Sequence, residues 1–457
     1  MTISSVNPAT GEELIRLRAA TPGDVDCALA RANSASEIWR RTSLSERAHK
    51  VLKVGAVLRS RKEELARIAT LEMGKVITQS RAEVEKAAAN CDYYFDHAEE
   101  LLAPEKLKGG QLENWVHYEP LGTVLAVMPW NFPFGQVFRF APAMLLAGNT
   151  VLLKHASNVP QCSLLIQEVF EEAGLPTGVF QALLVGSQAV EGILSDERVQ
   201  GVTLTGSELA GISVAAIAGR ELKKSVMELG GSDAFIVLDD VDVRAVAAAA
   251  TQARFHNCGQ ACTNAKRFIV LESVADEFER ALVDEVMRLR IGDPLDPRTQ
   301  LGPMASTEFT SELKEQVEHS IAAGAELLTG GFREEGSAYV DPIVLTGVTR
   351  EMRVFREETF GPAAAVIRAS DEAAAIELAN DSRYGLGASI WTADIERGRS
   401  VAARVDAGMV FVNSVVASDA RLPFGGMKRS GYGRELGVWG IREFTEVKSV
   451  ALSSPVQ

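Results

Sequence analysis

The chain carries no C-x-x-C pair, no H-E-x-x-H, no G-x-S-x-G and no surplus of basic residues. Its five cysteines, Cys27, Cys91, Cys162, Cys258 and Cys262, are odd in number, and only the last two lie close together. That pattern excludes a disulfide framework and implies a reducing, cytoplasmic setting. The histidines form no ligand cluster, so no metal is expected. The missing G-x-S-x-G weighs against a serine hydrolase. With 47 Lys+Arg against 61 Asp+Glu, the formal charge of −14 excludes a protein that coats nucleic acid and a basic membrane-surface protein. It does not exclude an anionic small molecule, because a pocket's charge need not follow the sum. The first residues, MTISSVNPATGEE, hold neither a basic nor an apolar leader region, so no secretory signal is expected. The most apolar stretch, Thr123 to Leu153, is broken by Pro129, Pro133, Pro142 and Gly148. A membrane span needs roughly 20 unbroken apolar residues, so this stretch reads as buried core. Its single charge, Arg139, then calls for an explanation, since an unpaired buried arginine is costly.

What is present is a chain of 457 residues, long enough for two or three core-forming units. Asp24–Arg41, Ser45–Met73 and Gln79–Leu102 have helical spacing, with Ser45 as a candidate N-cap. Asn114–Tyr118 alternates as an exposed strand does. From Thr123 the rhythm changes. β-rich runs (Thr123–Met128, Thr150–Leu153, Gln181–Val185, Gly201–Leu204, Ala234–Leu238) alternate with helical segments. That order implies right-handed βαβ units and a parallel sheet covered on both faces. The pattern restarts near Gly230, where a second α/β unit is expected, and Phe444–Leu452 reads as a final extended segment. No repeat and no low-complexity linker is visible.

Four features carry chemistry. Cys262 follows Gly259-Gln-Ala where a helix gives way to a strand. It is either a small packed thiol or a nucleophile whose own N–H faces an oxyanion. Glu228 stands at the end of a β-rich run before Leu-Gly-Gly231, as a solvated loop carboxylate or a general base. Asn131 lies in the rigid turn Pro129-Trp-Asn-Phe-Pro133, as a turn residue or a donor to developing negative charge. Three strand ends, Lys154-His-Ala-Ser157, Val185-Gly-Ser187 and Thr205-Gly-Ser-Glu-Leu-Ala-Gly211, suit a phosphate-bearing ligand. None of them is G-x-G-x-x-G, and on spacing alone each signal is weak.

Together these motifs resemble the aldehyde dehydrogenase superfamily, from Asn7-Pro-Ala-Thr-Gly-Glu12 to the tail. The matching segments include Glu357-Glu-Thr-Phe-Gly-Pro362 and Pro423-Phe-Gly-Gly-Met-Lys-Arg-Ser-Gly431. The resemblance implies an α/β fold: a Rossmann-like cofactor domain (1–111 and 121–229), a second α/β catalytic domain (230–440) and a small β oligomerisation arm (112–120 and 441–457). It implies Cys262 as nucleophile, Glu228 as general base and Asn131 as oxyanion donor. Cofactor contacts would come from Pro129, Trp130, Lys154, Ser157, Gly206, Ser207, Leu229, Glu358 and Phe360, with Glu358 on the nicotinamide-side ribose. The reaction would run through a thiohemiacetal and a thioester on Cys262 to a carboxylic acid. No nearby Lys or Arg obviously lowers the thiol's pKa, which leaves local N–H groups, the nicotinamide charge and His256.

Many NAD-preferring relatives have Glu at the position of Ser157. Serine with Lys154 nearby accepts a 2′-phosphate, so NADP is favoured over NAD. Arg139 lies eight residues after Asn131, where succinate-semialdehyde dehydrogenases also carry Arg, and it is either a structural ion pair or a clamp for a substrate carboxylate. The chain is most similar to the short bacterial NAD(P)-dependent class of those enzymes. Gln136, His256 and Ser418 join Arg139 as substrate-side candidates. His256 stands where some relatives have a second Arg and substitutes for it, carries a partial charge or packs. A reversible disulfide between Cys258 and Cys262 is a further expectation if one helix carries both. The expected substrate is succinic semialdehyde, the expected partner a second copy of the chain, as homodimer or dimer of dimers. Alternatives are another aliphatic or aromatic aldehyde, a CoA-acylating dehydrogenase and a catalytically silent member of the fold.

Overall fold

A computed structural model describes residues 2–109, 112–334 and 336–453. Two sheets organise it. The first runs in the order Gly431–Tyr432, Lys224–Glu228, Val199–Thr205, Thr123–Met128, Thr150–His155, Phe180–Ala182. All its neighbours pair in parallel except the short Gly431–Tyr432 strand. The second has the order Glu326–Phe332, Val340–Thr346, Ala363–Ala369, Ala265–Leu271, Asp233–Val237, Gly387–Trp391, Met409–Val412. Only its Glu326–Phe332 edge is antiparallel. Parallel strands require crossovers, and the helices Gly135–Leu146, Pro160–Glu172 and Glu208–Arg220 supply them in the first unit. A three-stranded antiparallel arm, Thr445–Leu452, Glu113–Pro120 and Glu105–Leu107, lies apart from both.

The stretch Thr123–Leu153 becomes strand, turn, helix and strand, nearly all buried, which is why it is so apolar. Among the described residues no helix is long and apolar enough to cross a membrane. The second sheet opens at Asp233, close to the expected restart at Gly230. The chain later returns, and Gly431–Tyr432 edges the first sheet from inside the span expected to be purely catalytic.

Two local expectations are corrected. The run Ser45–Met73 is two helices, Leu44–Ser60 and Lys62–Met73, interrupted at Arg61. Its cap is Ser43, whose hydroxyl accepts from the Glu46 N–H, and not Ser45. Strands Val340–Thr346 and Gly387–Trp391, and the hairpin Thr2–Val6 with Glu13–Arg18, were not expected.

The chain passes from one sheet to the other through Leu229–Ser232. It leaves the C-terminal edge of the first sheet at Glu228 and enters the second at the N-terminal end of Asp233–Val237. The strand Ala265–Leu271, parallel to Asp233–Val237, starts three residues after Cys262. The site is therefore built where the strand ends of one unit meet the strand starts of the other.

Candidate active site

Cys262 sits beyond a tight turn. The helix Val243–Phe255 ends, and Asn257, Cys258 and Gly259 all adopt left-handed backbone (φ 52°, 55° and 70°). Asn257 holds the turn from inside: its Nδ2 donates to the carbonyls of Asn131 (2.8 Å) and Gln260 (3.1 Å). At Gly259 an added Cβ would lie 2.2 Å from the Gly361 carbonyl oxygen, so positive φ and close backbone approach both require glycine. Because the helix stops before the turn, Cys258 and Cys262 are not one helical turn apart, contrary to the premise for their pairing. Cys258 packs into the core of the second sheet, whereas Cys262 packs against the separate cluster of Leu386, Met409, Phe424 and Leu436. All five cysteines are free thiols.

Burial pushes the Cys262 thiol up to about 12, against a downward pull from Arg139 and then Lys266; Glu358 and Asp233 add to the rise. The expectation that no lysine or arginine acts on this sulfur is thus corrected. Lys266 is fully buried and donates to the carbonyls of Ala261 (2.9 Å) and Cys262 (2.6 Å), with the Glu358 carboxylate 3.5 Å away. It lies inside the same motif as the nucleophile, four residues on, and helical or strand periodicity gives no hint of its role.

A cavity of about 340 Å³ opens on Cys262. Gln136, Arg139, His256 and Ser418 line it, so the substrate-side candidates converge on one space. Neither Asn131 nor Glu228 is among its lining residues. Asn131 is 4% exposed, its Nδ2 donating to the Gln260 carbonyl (3.0 Å) and its Oδ1 accepting from Gln136 (3.5 Å), which does line the cavity. Arg139 realises the ion-pair alternative while also reaching the cavity. Its Nε pairs with Glu435, which is 1% exposed, its NH2 reaches the Thr205 hydroxyl (3.4 Å), and its plane lies 4.1 Å from the Phe424 ring centre. His256 stacks on Phe132, with ring centres 5.9 Å apart. Its pKa is driven down, first by lost hydration and then by Lys75 and Lys86, which favours the neutral ring over a charged one.

Glu228 is 2% exposed, and neither carboxyl oxygen has a hydrogen-bond partner among the described residues. Burial holds the acid well above the usual carboxylate range, and Glu435 adds like charge; Arg139 and Arg434 pull it back. Arg139 therefore acts on both Cys262 and Glu228, and Glu435, distant in sequence, tunes the pair. Asp233, a buried acid in the cavity wall raised to about 7 chiefly by burial, was also not anticipated.

The cofactor candidates lie along the C-terminal edge of the first sheet. Pro129, Lys154, Gly206 and Leu229 each stand at or just beyond the end of a parallel strand. Ser207 caps the helix Glu208–Arg220, and Gly211 of that helix packs on Leu229, where a Cβ would come within 2.5 Å. Trp130 stacks on Phe309 and meets Phe360 edge-on, with centroids 4.8 and 5.8 Å away. Glu358 accepts from the Gly231 N–H at 3.1 Å. Lys154 decides the fit to an anionic dinucleotide: it is 8% exposed, yet its ammonium makes no hydrogen bond or ion pair among the described residues. A cation held this way beside the strand ends suits an anionic ligand group. Ser157, exposed nearby, places no carboxylate against a phosphate. Among the described residues no group of three or more His, Cys, Asp or Glu could hold a metal ion.

Comparison with known proteins agrees over the full length. The model of the aldehyde dehydrogenase family matches residues 1–450. A succinate semialdehyde dehydrogenase (NAD(P)+) of Escherichia coli is 47% identical over 447 residues, covering 98% of this chain and 97% of that one. A probable succinate-semialdehyde dehydrogenase (NADP(+)) of Synechocystis is 46% identical over 451 residues, 98% of this chain and 99% of its own. Among solved structures, succinic semialdehyde dehydrogenase from Streptococcus pyogenes in complex with NADP+ superposes with a TM-score of 0.97 at 37% identity, covering 99% of this chain and all of that one.

Proposed function

The chain belongs to the aldehyde dehydrogenase family, and from that premise we propose that it oxidises succinic semialdehyde to succinate with NADP in preference to NAD. The observation that carries this reading is the single cavity in which Cys262 faces Gln136, Arg139 and Ser418. In it a reactive sulfur stands beside the cationic and hydrogen-bonding side chains that a short carboxylated aldehyde needs.

Cys262 Sγ adds to the aldehyde carbon as thiolate, its proton leaving to solvent. The carbonyl oxygen becomes an oxyanion, held by the Cys262 N–H and by the second N–H of Asn131, whose first is fixed on Gln260. When bound, the oxidised nicotinamide dinucleotide supplies the hydride acceptor and a positive ring charge. Lys154, Ser157 and the Ser207-capped helix would hold its anionic part, and Glu358 its ribose. Glu228 takes a proton from water, whose oxygen attacks the thioester carbon and releases the acid and the free thiol. Because burial raises the Glu228 pKa, its base form is gained as pH rises, and this step favours higher pH. The reading includes a homodimer or dimer of dimers joined through the arm, supported by the edge strand Thr445–Leu452, which pairs on one side with Glu113–Pro120 and with no strand on the other among the described residues, and whose Val447 is 61% and Leu452 51% exposed. It also includes a cytoplasmic location, supported by the five free cysteines.

Initial rates with succinic semialdehyde, glutaric semialdehyde and butanal, each with NADP and NAD, test it. Reduced cofactor forming without CoA, fastest with succinic semialdehyde and NADP, is expected. Turnover that requires CoA, or no preference for the carboxylated aldehydes, would contradict it.

A further inference from the structure

Two of the cofactor candidates, Glu358 and Phe360, stand on a segment that belongs to no helix or strand, between the helix Arg353–Arg356 and the strand Ala363–Ala369. A side chain from elsewhere in the chain holds that segment. Arg254, in the last turn of Val243–Phe255, is fully buried and turns its guanidinium to the segment's backbone. Its Nε donates to the Ala363 carbonyl (2.6 Å), and one terminal nitrogen donates to the carbonyls of Thr359 (2.8 Å) and Gly361. A planar fork suits such a row of alternate carbonyls, whereas a point charge does not. Burial works against the charge of Arg254, and Cys258 and Glu358 work for it through space. The residues between the clamped carbonyls keep their side chains for other contacts. Glu358 accepts from the Gly231 N–H (3.1 Å), and Phe360 meets Trp130 edge-on. Gln316 braces only the start of the segment, donating to the Glu358 carbonyl (3.2 Å). Arg254 is also tied to the nucleophile's side. Asn264, two residues after Cys262, donates from Nδ2 to the carbonyls of Arg254 (3.0 Å) and His256 (2.9 Å). Arg254 therefore joins the start of the Cys262 turn, through its backbone, to the Glu358–Phe360 segment, through its side chain.

We propose that Arg254 is a positioning residue for the cofactor: by holding the carbonyls of Thr359, Gly361 and Ala363, it sets Glu358 and Phe360 for the nicotinamide half of the dinucleotide at a fixed place relative to Cys262. This rests on the cofactor reading above. It implies an effect on one half of the ligand only. Lys154 and the Ser207-capped helix, which face the phosphate-bearing adenosine half, belong to the first sheet and its crossover helix and take none of the Arg254 donors. The test titrates NADP, and separately adenosine 2′,5′-bisphosphate, onto the cofactor-free enzyme by calorimetry, in the wild type, Arg254→Lys and Arg254→Met. Lysine keeps the charge but not the fork, so it cannot serve three carbonyls at once, and it carries the test if Arg254→Met does not fold. The expected result is NADP bound at least about tenfold more weakly in both variants, the size of a lost hydrogen bond from a charged donor. Adenosine 2′,5′-bisphosphate is expected to bind as in the wild type, and iodoacetamide to alkylate Cys262 at the wild-type rate, because Asn257 and Asn264 hold the nucleophile's turn independently. NADP bound unchanged in the variants overturns the proposal. So does an equal weakening of both ligands, or a parallel loss of alkylation, either of which marks a brace for the whole site. A wild type that binds neither ligand overturns the cofactor reading, and this assignment with it.

Discussion

Cys262 is held between burial, which protonates it, and two cations that oppose burial from different sides. Lys266 adds structure to that charge, because it clamps the carbonyls of Ala261 and Cys262 and sits beside Glu358. Replacing it by Met removes a cation, so the thiol pKa rises and less thiolate exists at any given pH. Iodoacetamide alkylation of Cys262, followed against pH, is expected to shift to higher pH in Lys266→Met; an unchanged profile would contradict this role. Glu228 behaves in the same sense. Its raised pKa means that the base form is gained only as pH rises, and Glu435 is part of the cause. Glu435→Gln removes the like charge and leaves Arg139 unneutralised; both lower the Glu228 pKa. The acid limb of kcat is therefore expected to move to lower pH, and a limb that stays or rises would contradict the coupling. The candidate nucleophile, the candidate base and the turn asparagine could be singled out in the sequence because their motifs are local. Glu435 was not, because it reaches Arg139 across 296 residues of chain.

Among the elements, strands flanked by turn residues were legible and those without a clear period were not. Thr123–Met128 is found as expected, and Thr150–His155 only runs two residues further. Gly387–Trp391, Gly-Ala-Ser-Ile-Trp, lies between Asp233–Val237 and Met409–Val412, buried on both faces, and shows neither alternation nor a long apolar run. The break at Arg61 was invisible because both halves of Ser45–Met73 keep helical spacing, and only the non-helical backbone at Arg61 (φ −100°, ψ 11°) reveals it. The turn Asn257–Gly259 is the element on which the nucleophile's position depends. Gly259→Ala would put a Cβ against the Gly361 carbonyl in left-handed backbone, for a destabilisation of at least about 1–2 kcal/mol together with lost activity. The denaturant midpoint and kcat measure both, and no change in either would contradict the role given to the turn.

On the scale of the whole molecule, the acidic surplus and the anionic ligands are reconciled by placement. A net charge of −14 surrounds a few positioned cations, Lys154 at the end of a parallel strand, Arg139 and Lys86 in the cavity lining and Lys266 on the Cys262 carbonyl. The proposed arm-mediated assembly predicts a sedimentation coefficient of a dimer or larger species at micromolar concentration; a monomer there would contradict it. The central claim is that Cys262 carries the acyl group and Glu228 releases it. The most direct test is mass spectrometry of Glu228→Gln quenched during turnover with succinic semialdehyde and NADP. The account predicts one succinyl group on the peptide that contains Cys262, accumulating because hydrolysis is slowed. Reduced cofactor formed with no adduct at Cys262, or an adduct confined to another cysteine, would contradict it.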